Sequence, residues 1–287
     1  MATELRHKYA YEIDLADENT AAAHVVRLVG RNKRVLDVGS GPGAITRYLK
    51  DPGDCSIVAI EVDPAAATLV APFCEQVLHC DLDNSTFTAI IAQAGKFDVV
   101  VMADILEHLK DPWKVLVQMK EVLRDGGYLV VSLPHAGHNA VIASLLNADF
   151  EYRDTGLLDR THIRFFAMRN IQALFEQAGL RIVDAGLVAR QPEASELAHH
   201  WSALPERLQD ALSSNRFGAV YQVVVRAEPQ QGAGSSIDLC ALPMPQTREG
   251  WWRRNIGRGR RKIAASLHPS IKAPLKRALT LLGLMRR

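Results

Sequence analysis

The feature that most constrains this chain is a short apolar run that leads into three closely spaced glycines. Residues Val35–Gly43 read Val-Leu-Asp-Val-Gly-Ser-Gly-Pro-Gly. The apolar part is typical of a buried parallel strand, and residues 44–50 after it are predicted to form a helix. In α/β folds, a strand that passes through a glycine turn into a helix brings backbone close to a nucleotide-like ligand. Glycine keeps that approach open and takes φ values that other residues rarely adopt.

The details of the turn leave more than one ligand open. A dinucleotide site favours Gly-x-Gly-x-x-Gly with its pyrophosphate at the helix N-terminus, and Gly39-x-Gly41-x-x-Ala44 fits only the permissive form of that pattern. Asp37 precedes the first glycine by two residues. A carboxylate there can bind the charged amine of an amino-acid-like ligand, whereas it would repel a pyrophosphate. The turn therefore favours an amino-acid-bearing nucleoside over a dinucleotide, and an unrelated glycine turn is the remaining alternative.

Strand-like and helical segments alternate along the chain, which predicts an α/β fold with a mostly parallel sheet and helices on both of its faces. The polar stretch 191–216 is predicted to hold no more than a short helix. The seven predicted strands are residues 34–38, 56–61, 76–79, 97–102, 128–133, 181–187 and 219–226. The predicted helices are residues 19–29, 44–50, 64–71, 86–94, 112–123, 139–148 and 168–178.

Acidic residues follow the second and third predicted strands. Glu61 lies at the tip of the second strand, roughly 20 residues past the glycine turn, where a carboxylate can accept both hydrogen bonds from a ribose diol. Several nucleoside cofactors share this feature, and a solvated strand-end charge is the alternative. Asp81 and Leu82 follow the third strand and so occupy a position equivalent to that of Glu61.

The fourth predicted strand leads into a second informative segment. Residues 103–109 read Ala-Asp-Ile-Leu-Glu-His-Leu, and Asp111-Pro112 follow them. Together with Val35–Gly43, this segment resembles the motifs of the class I S-adenosylmethionine-dependent methyltransferases. The resemblance covers about residues 9–226. It implies a Rossmann-like, doubly wound α/β fold, with a seven-stranded, mostly parallel sheet whose last strand is antiparallel.

The resemblance also implies which residues contact S-adenosylmethionine. It assigns the ribose to Glu61 and the adenine edge to Asp81 and Leu82, and it places residues 103–105 beside the methionine part. The residues implied for cofactor binding are Asp37, Gly39, Ser40, Gly41, Gly43, Glu61, Asp81, Leu82, Ala103 and Asp104. The chain lacks the Asn/Asp-Pro-Pro-aromatic sequence of enzymes that methylate adenine and the paired-glutamate loop of arginine methyltransferases. An oxygen or carbon acceptor is therefore expected rather than a nucleobase amine.

A polar segment, residues 135–167, is predicted to form a substrate lid between the fifth strand and the next helix. Within it, Gly156–Phe166 reads Gly-Leu-Leu-Asp-Arg-Thr-His-Ile-Arg-Phe-Phe. This segment closely resembles one in methyltransferases associated with bacterial cell-surface polysaccharide (O-antigen) assembly, which are often encoded with or fused to glycosyltransferases. The resemblance implies a sugar hydroxyl of a surface glycan or its precursor as the methyl acceptor, and a glycosyltransferase as a partner.

Histidines near the lid are the candidates for a catalytic base. A sugar hydroxyl must lose its proton as it attacks, and histidine is the side chain that titrates near neutral pH. His135 and His162 rank first, because one follows the fifth strand and the other lies in the lid. His108, at the mouth of the predicted site beside Glu107, and His138 are the further candidates. A structural role is the alternative for each of them.

Charged residues of the lid are predicted to contact the substrate. Arg160 and Arg164 flank His162 and could orient an acidic or phosphorylated sugar. Asp159 is the third predicted substrate residue, and the alternative is that Asp159 and His162 only brace the lid. The sequence shows no clear cluster of acids and histidines, so no metal site is predicted.

Charge is unevenly distributed and sets the C-terminal residues apart. Residues 248–287 contain twelve Lys or Arg and one acid, a net charge of +11, whereas the remainder carries 22 basic and 31 acidic residues, a net charge of −9. The predicted organisation is a methyltransferase domain over 1–228, a linker over 229–250 and a basic amphipathic tail over 251–287. Aromatic and leucine residues among the basic ones favour an anionic membrane surface as the partner of this tail over nucleic acid. A tail without function is the other alternative.

Composition limits the protein class and its location. The chain has 287 residues, of which 48% are hydrophobic, enough for one good core. No apolar run approaches the roughly 18 residues of a spanning helix, and the N-terminus lacks the apolar stretch of a secretion signal. The four cysteines lack metal-ligand spacing and are predicted to be free thiols in a reducing cytoplasm. The expected location is the cytoplasm, with peripheral attachment to the inner membrane face.

The main functional prediction is an S-adenosylmethionine-dependent O-methyltransferase that acts on a sugar hydroxyl. An O-methyltransferase for a quinone or another small molecule is the alternative within the same class. A NAD-dependent oxidoreductase is an alternative from a different class, and Asp37 and the missing dehydrogenase catalytic signature count against it. A non-catalytic, membrane-associated adaptor that binds partners through residues 248–287 is the last alternative.

Overall fold

A computed structural model of the chain describes residues 12–84, 87–230 and 234–245; the basic tail predicted over 251–287 lies outside them. The strands are β1 (Arg34–Val38), β2 (Ser56–Ile60), β3 (Gln76–Leu78), β4 (Phe97–Ala103), β5 (Leu123–Pro134), β6 (Leu180–Ala189) and β7 (Val220–Pro229). The helices are α1 (Ala21–Val29), α2 (Thr46–Lys50), α3 (Pro64–Val70), α4 (Phe87–Gln93), α5 (Pro112–Glu121), α6 (Asn139–Leu146), α7 (Met168–Gln177), α8 (Ala198–Ala203) and α9 (Glu206–Leu212).

The seven strands form one mixed sheet in the order β3-β2-β1-β4-β5-β7-β6. The first five strands in sequence pair in parallel, whereas β7 lies between β5 and β6 and is antiparallel to both. Strands β2 and β3 are added to the sheet on one side of β1, and β4 is added on the other side. Open α/β sheets leave a crevice for ligands where the strand order reverses in this way. The predicted fold, a seven-stranded, mostly parallel sheet with an antiparallel last strand, is confirmed.

Alternating residues of the central strands bury both faces of the sheet. In β4, Val100 and Met102 belong to the core on one side, and Val99 and Val101 belong to the core that packs under α1 on the other. All four side chains are fully buried. Burial on both faces explains why these strands read as continuous apolar runs rather than as alternating ones.

The turn before α5 explains why a helix begins there. Asp111 caps the helix, because its side chain accepts a hydrogen bond from the backbone N–H of Lys114 at 3.0 Å. Pro112 occupies the first helical position, where a missing N–H costs nothing. The cap and the proline therefore fix the start of α5 at Pro112, just after residues 103–109 at the end of β4.

The region between β6 and β7 contains more structure than the sequence indicates. The stretch 191–216 was expected to hold no more than a short helix, and it forms two helices, α8 and α9. Trp201 and Leu204 are buried there against Ala143 of α6. Both helices are short and stabilised by this packing, which local sequence periodicity does not reveal.

The predicted domain boundary near residue 228 falls within β7, and of the predicted linker over 229–250 the structure describes residues 229–230 and 234–245. Residues 234–245 pack against the sheet core, where Leu239 is fully buried. The backbone N–H of Ile237 donates to the Ile182 carbonyl oxygen at 2.9 Å, and the N–H of Leu239 donates to Gln172 Oε1 at 3.1 Å. Proline and glycine in this stretch reflect an irregular but packed segment rather than a free linker.

Two further expectations concern the membrane and the cysteines. None of the helices in the described ranges has the length and apolar character needed to cross a bilayer. Cys55, Cys74, Cys80 and Cys240 are all free thiols, as the sequence predicts.

Candidate functional site

A cavity of about 740 Å³ lies at the carboxyl ends of β1, β2, β3 and β4, with the lid segment on its far side. Nine of the ten residues predicted to bind the cofactor line it: Asp37, Gly39, Ser40, Gly41, Glu61, Asp81, Leu82, Ala103 and Asp104. The tenth, Gly43, does not line the cavity. A side-chain carbon there would meet Val70 Cγ2 at 3.0 Å, so this glycine serves helix packing instead. The carboxyl ends of parallel strands bring together residues that are far apart in sequence.

The glycine turn is built as the sequence predicts and is held by β2. Gly39 and Gly41 have φ values of +68° and +55°, which L side chains rarely adopt. The backbone N–H groups of Gly39 and Ser40 donate to the Ile60 carbonyl oxygen at 2.8 and 3.2 Å. A carbon on Gly39 would lie 2.0 Å from Ile105 Cδ1, whereas a carbon on Gly41 would meet nothing within 4 Å. Gly41 therefore presents bare backbone to open space in the cavity wall.

Asp37 is a buried carboxyl at the end of β1, and Thr46 is its partner. Thr46 Oγ1 donates to Asp37 Oδ2 at 2.7 Å, and both residues are almost fully buried. Burial raises the pKa of Asp37 to about 6, the Thr46 hydrogen bond opposes that rise, and the nearby Glu61 carboxylate adds to it. A positively charged ligand group beside Asp37 would favour its ionised form.

Glu61 lies at the end of β2, and its carboxylate ties the strand end to the glycine turn. Its Oε2 accepts from the Gly41 N–H at 2.7 Å, and its Oε1 accepts from the Asp63 N–H at 2.8 Å. Each carboxylate oxygen can accept more than one hydrogen bond, so these contacts leave acceptor capacity for ribose hydroxyls. Asp81 is exposed and Leu82 half-buried at the rim beyond it.

Asp104 follows β4 in a strained conformation that two side chains stabilise. Its φ is +54°, a value that residues other than glycine adopt at a cost and often at functional sites. Ser132 Oγ donates to Asp104 Oδ1 at 2.7 Å, and Gln222 Nε2 donates to Oδ2 at 2.7 Å. Burial raises the pKa of Asp104 above its ordinary value. Gln222 lines the cavity from β7, and no motif in the sequence identifies it.

Glu107 is the buried acid of the cavity. The residue is completely buried, and among the described residues no group donates a hydrogen bond to either of its carboxylate oxygens. Burial, with the negative charges of Asp104 and Asp159 adding to it, raises the pKa of Glu107 well above its ordinary value. Its backbone carbonyl accepts hydrogen bonds from the N–H groups of Ile163 and Arg164. The Glu107 backbone thus connects the lid to the segment after β4, while its side chain lines the cavity.

Two of the predicted catalytic histidines, His108 and His162, lie beside Glu107. Their rings meet edge to face with centroids 4.8 Å apart, and His162 Nε2 is 3.9 Å from Glu107 Oε1. His108 Nδ1 is 3.1 Å from the Thr161 carbonyl oxygen, and His162 Nδ1 is 3.3 Å from that of Leu157. Both histidines line the cavity.

The sequence shows no clear cluster of acids and histidines, but the described structure contains one in the cavity. Glu107, His108 and His162 each offer one ligand atom, and these three atoms lie within 4.8 Å of one another. Such a set of one carboxylate and two imidazoles can bind a divalent cation. The sequence hides the cluster, because the lid brings His162 to the end of β4 only in the folded chain.

His135 and His138 are placed where a catalytic role is not supported. His135 is buried outside the cavity lining, with Nδ1 3.2 Å from the Val220 carbonyl oxygen, and burial lowers its pKa to about 4. His138 caps α6: its Nδ1 accepts from the Ala140 N–H, and its Nε2 donates to the Arg190 carbonyl oxygen at 2.8 Å. The first-ranked position of His135 is therefore wrong on geometry.

The predicted substrate arginines also lie away from the cavity lining. Arg160 is exposed and pairs with Asp154 at 2.7 Å, and Arg164 donates to the Lys110 carbonyl oxygen and lies over the Trp113 ring at 5.8 Å. Asp159 does line the cavity, but its Oδ1 accepts from the N–H and hydroxyl of Thr161 at 2.9 and 2.7 Å. The structure thus supports the alternative for Asp159, which braces the lid.

The polar groups that line the cavity fit S-adenosylmethionine. Bare backbone at Gly41 and the carboxylate of Glu61 form one wall, and the buried carboxyl of Asp37 is adjacent. The Ser40 hydroxyl is buried and has no hydrogen-bond partner among the described side chains and backbone. The cavity volume of about 740 Å³ lies within the usual range of small-molecule and cofactor sites.

Comparisons of the sequence point to one family. The sequence model of a methyltransferase domain matches residues 8–185. A relative named ubiquinone biosynthesis O-methyltransferase, from Cereibacter sphaeroides, is 27% identical over 154 residues, which are 53% of this chain and 61% of that protein. A relative of the same name from Azotobacter vinelandii is 30% identical over 186 residues, 63% of this chain and 77% of that protein. The chain thus spans less than two thirds of the first relative.

Solved structures with the same fold are distant in sequence. A proposed methyltransferase from Bacillus halodurans C-125 has a TM-score of 0.52 and 17% identity, covering 73% of this chain and 99% of that one. The (4+2)-cyclase SpnF has a TM-score of 0.50 and 17% identity, covering 79% of this chain and 89% of that one. These likenesses establish the fold alone, and a cyclase among them illustrates that one fold hosts different reactions.

Proposed function

Because this chain belongs to the methyltransferase-domain family, we propose that it transfers a methyl group from S-adenosylmethionine to the hydroxyl of a quinone-type or similar small aromatic acceptor. Relatives named ubiquinone biosynthesis O-methyltransferase support oxygen as the acceptor atom and favour this small-molecule alternative over the sugar acceptor. The association with O-antigen assembly, expected from the lid segment, receives no support from these relatives.

Four residues at the strand ends would hold the cofactor. Asp37 would bind its charged amine, the Gly41 backbone and Glu61 would bind its ribose, and Asp104 would contact its methionine part. S-adenosylmethionine, when bound, would supply a methyl group on a positively charged sulfur. A nucleophilic oxygen that attacks the methyl carbon displaces that sulfur, which leaves as S-adenosylhomocysteine. The chain contributes position and exclusion of water, which account for much of the rate in such a displacement.

The observation that carries the proposal is the buried carboxyl of Glu107 beside His162. If His162 donates its Nδ1–H to the Leu157 carbonyl, Nε2 is the nitrogen that takes up a proton, and it lies 3.9 Å from Glu107 Oε1. A hydroxyl bound in the cavity would lose its proton to Nε2 as it attacks. The positive charge on His162 would lower the raised pKa of Glu107, and the ionised carboxylate would stabilise the imidazolium.

An aromatic hydroxyl suits this base better than a sugar hydroxyl. A phenol loses its proton with a pKa of about 10, as in tyrosine, well below that of an alkyl hydroxyl. General-base catalysis is most effective when the pKa values of base and hydroxyl are close. Apolar side chains of Ile105 and Leu109 line the cavity near His108, whereas Arg160 and Arg164, which an acidic sugar would need, lie elsewhere.

Methyl transfer by the full chain tests the proposal. S-adenosylhomocysteine production is measured with a catechol that bears a short alkyl chain and, separately, with a nucleotide sugar. We expect turnover of the catechol alone. In His162→Ala, kcat falls roughly 100-fold or more while the Kd for S-adenosylhomocysteine is unchanged.

Arg160→Ala is the matched control from the same lid, and its kcat should equal that of the wild type. Turnover of the nucleotide sugar alone, or a loss of activity in Arg160→Ala comparable to that in His162→Ala, contradicts the aromatic acceptor. A His162→Ala variant with normal kcat contradicts the assignment of the base.

We further propose that the basic tail, residues 251–287, binds an anionic membrane surface. The net charge of +11 over residues 248–287 supports this, because basic residues interspersed with tryptophan and leucine favour anionic bilayers. Quinone-type acceptors with apolar chains partition into membranes, so a membrane-bound enzyme would meet its substrate there.

A further inference from the structure

A second cluster of histidines and acids lies outside the cavity lining. Glu151 and Asp149 follow α6, and His199 and His200 lie side by side in α8. His199 Nε2 is 2.9 Å and His200 Nε2 is 3.2 Å from the same oxygen, Glu151 Oε2. His200 Nε2 is also 3.6 Å from Asp149 Oδ2. Three potential ligands from two separate segments thus lie close together, with Asp149 beside His200.

We propose that Glu151, His199 and His200, with Asp149 beside His200, bind a divalent transition-metal ion, with Zn²⁺ as the best fit. Tetrahedral zinc with bonds of about 2.0–2.1 Å places neighbouring ligand atoms roughly 3.3 Å apart. The separations of 2.9, 3.2 and 3.6 Å between nitrogen and oxygen atoms lie around that value. One ligand atom from each of Glu151, His199 and His200 lies within 4.8 Å of the others, as ligands of a single ion must.

A metal ion accounts for the arrangement better than ion pairs do. Two ion pairs to one carboxylate oxygen would require both imidazoles to be protonated, and their ring centroids are only 4.1 Å apart. Two positive rings at that distance repel each other. Neutral imidazoles could each donate Nε2–H to that oxygen. In the other tautomer they offer Nε2 lone pairs, which together with carboxylates are preferred ligands of Zn²⁺.

The exposure of the cluster predicts a site at the protein surface. The side chain of His200 is 8% exposed, whereas that of His199 is 57% exposed, so one side of the ion would face solvent. Asn147 Nδ2 donates to the His200 carbonyl oxygen at 2.9 Å, which already orients α8 toward the segment after α6. An ion there would fix α8 to this segment.

The same segment forms the base of the lid. Arg153 Nη1 pairs with Glu151 Oε1 at 2.6 Å. The Arg153 N–H donates to the Leu158 carbonyl oxygen, and the Arg153 carbonyl accepts from the Arg160 N–H, both at 2.9 Å. Metal binding would therefore stabilise the end of the lid that lies away from His162, and its direct effect is on stability rather than on proton transfer.

Zinc titration of the full, chelator-treated chain tests the site. Binding is measured by competition with a chromophoric chelator, and the thermal unfolding midpoint is recorded with and without Zn²⁺. We expect His199→Ala to remove one equivalent of bound Zn²⁺ or to weaken it at least about 100-fold, and to remove the zinc-dependent rise of Tm. Glu151→Gln should have the same effect on binding, and the exposed His199 allows substitution without disturbing the core.

Two controls separate this site from others. His79→Ala removes an exposed histidine elsewhere and should change nothing, and His108→Ala reports on any ion bound by the cavity cluster. Loss of one equivalent in His199→Ala supports the proposal whatever His108→Ala does. No Zn²⁺ binding by the wild type, or identical stoichiometry and affinity in His199→Ala and wild type, overturns it.

Discussion

Replacing Gly39 by alanine is expected to destabilise the protein much more than the same change at Gly41. Both residues have positive φ, +68° and +55°, so each alanine carries a backbone cost of about 1–2 kcal/mol. At Gly39 the new carbon would also lie 2.0 Å from Ile105 Cδ1 and 2.7 Å from its Cγ1. Such overpacking costs typically 1–3 kcal/mol, since the Ile105 side chain must change its rotamer.

The expected loss is therefore about 2–5 kcal/mol for Gly39→Ala and about 1–2 kcal/mol for Gly41→Ala. Free energies of unfolding come from urea titrations followed by circular dichroism. The double variant Gly39→Ala/Ile105→Ala, compared with Ile105→Ala alone, isolates the backbone cost. In that background the penalty of Gly39→Ala should fall to about 1–2 kcal/mol, because the clashing side chain is gone.

Cofactor affinity gives the complementary measurement. Gly41 faces open space in the cavity wall, so Gly41→Ala should raise the Kd for S-adenosylhomocysteine despite its small effect on stability. Calorimetric titration checks this. Equal destabilisation by both alanines, or an undiminished Gly39→Ala penalty without the Ile105 side chain, would refute the argument from the turn geometry.

Three further predictions concern pH and charge. The pKa of Asp37 is raised to about 6 from 3.8, so its contribution to stability is greatest below pH 3.8 and is lost as the pH rises through 6. The variant Asp37→Asn should remove this loss of stability, which is worth about 3 kcal/mol at pH 7 and is measured by urea titration. The pKa of His135 is lowered to about 4 from 6.5, so stability is lost as the pH falls from 6.5 toward 4; His135→Gln should remove about 3 kcal/mol of that pH dependence and leave kcat unchanged. Replacing Arg260, Arg261 and Lys262 by glutamine in the full chain should weaken the affinity for phosphatidylglycerol vesicles roughly 100-fold, because each basic residue contributes about 1 kcal/mol. Co-sedimentation measures this affinity, and unchanged binding would contradict the membrane proposal.

Much of the fold follows from local patterns in the sequence. The strand, glycine turn and helix around Val35–Gly43 form because apolar periodicity and glycine φ values act within a few residues. The positions of Asp37 and Glu61 follow in turn, because any residue at the end of a parallel strand reaches the same edge of the sheet. The sequence predicts at most one short helix where α8 and α9 form, since contacts with α6, rather than their own sequence, stabilise them.

The sequence by itself determined the strands, the glycine turn and the acids at the strand ends, because each depends on residues close together in the chain. Only the tertiary structure decided which polar side chains share a site. Asp104 meets Gln222 across 118 residues, His162 reaches Glu107 through the lid, and His135 lies outside the cavity lining. Side-chain direction and long-range packing set these contacts, and neither has a periodic signal in the sequence.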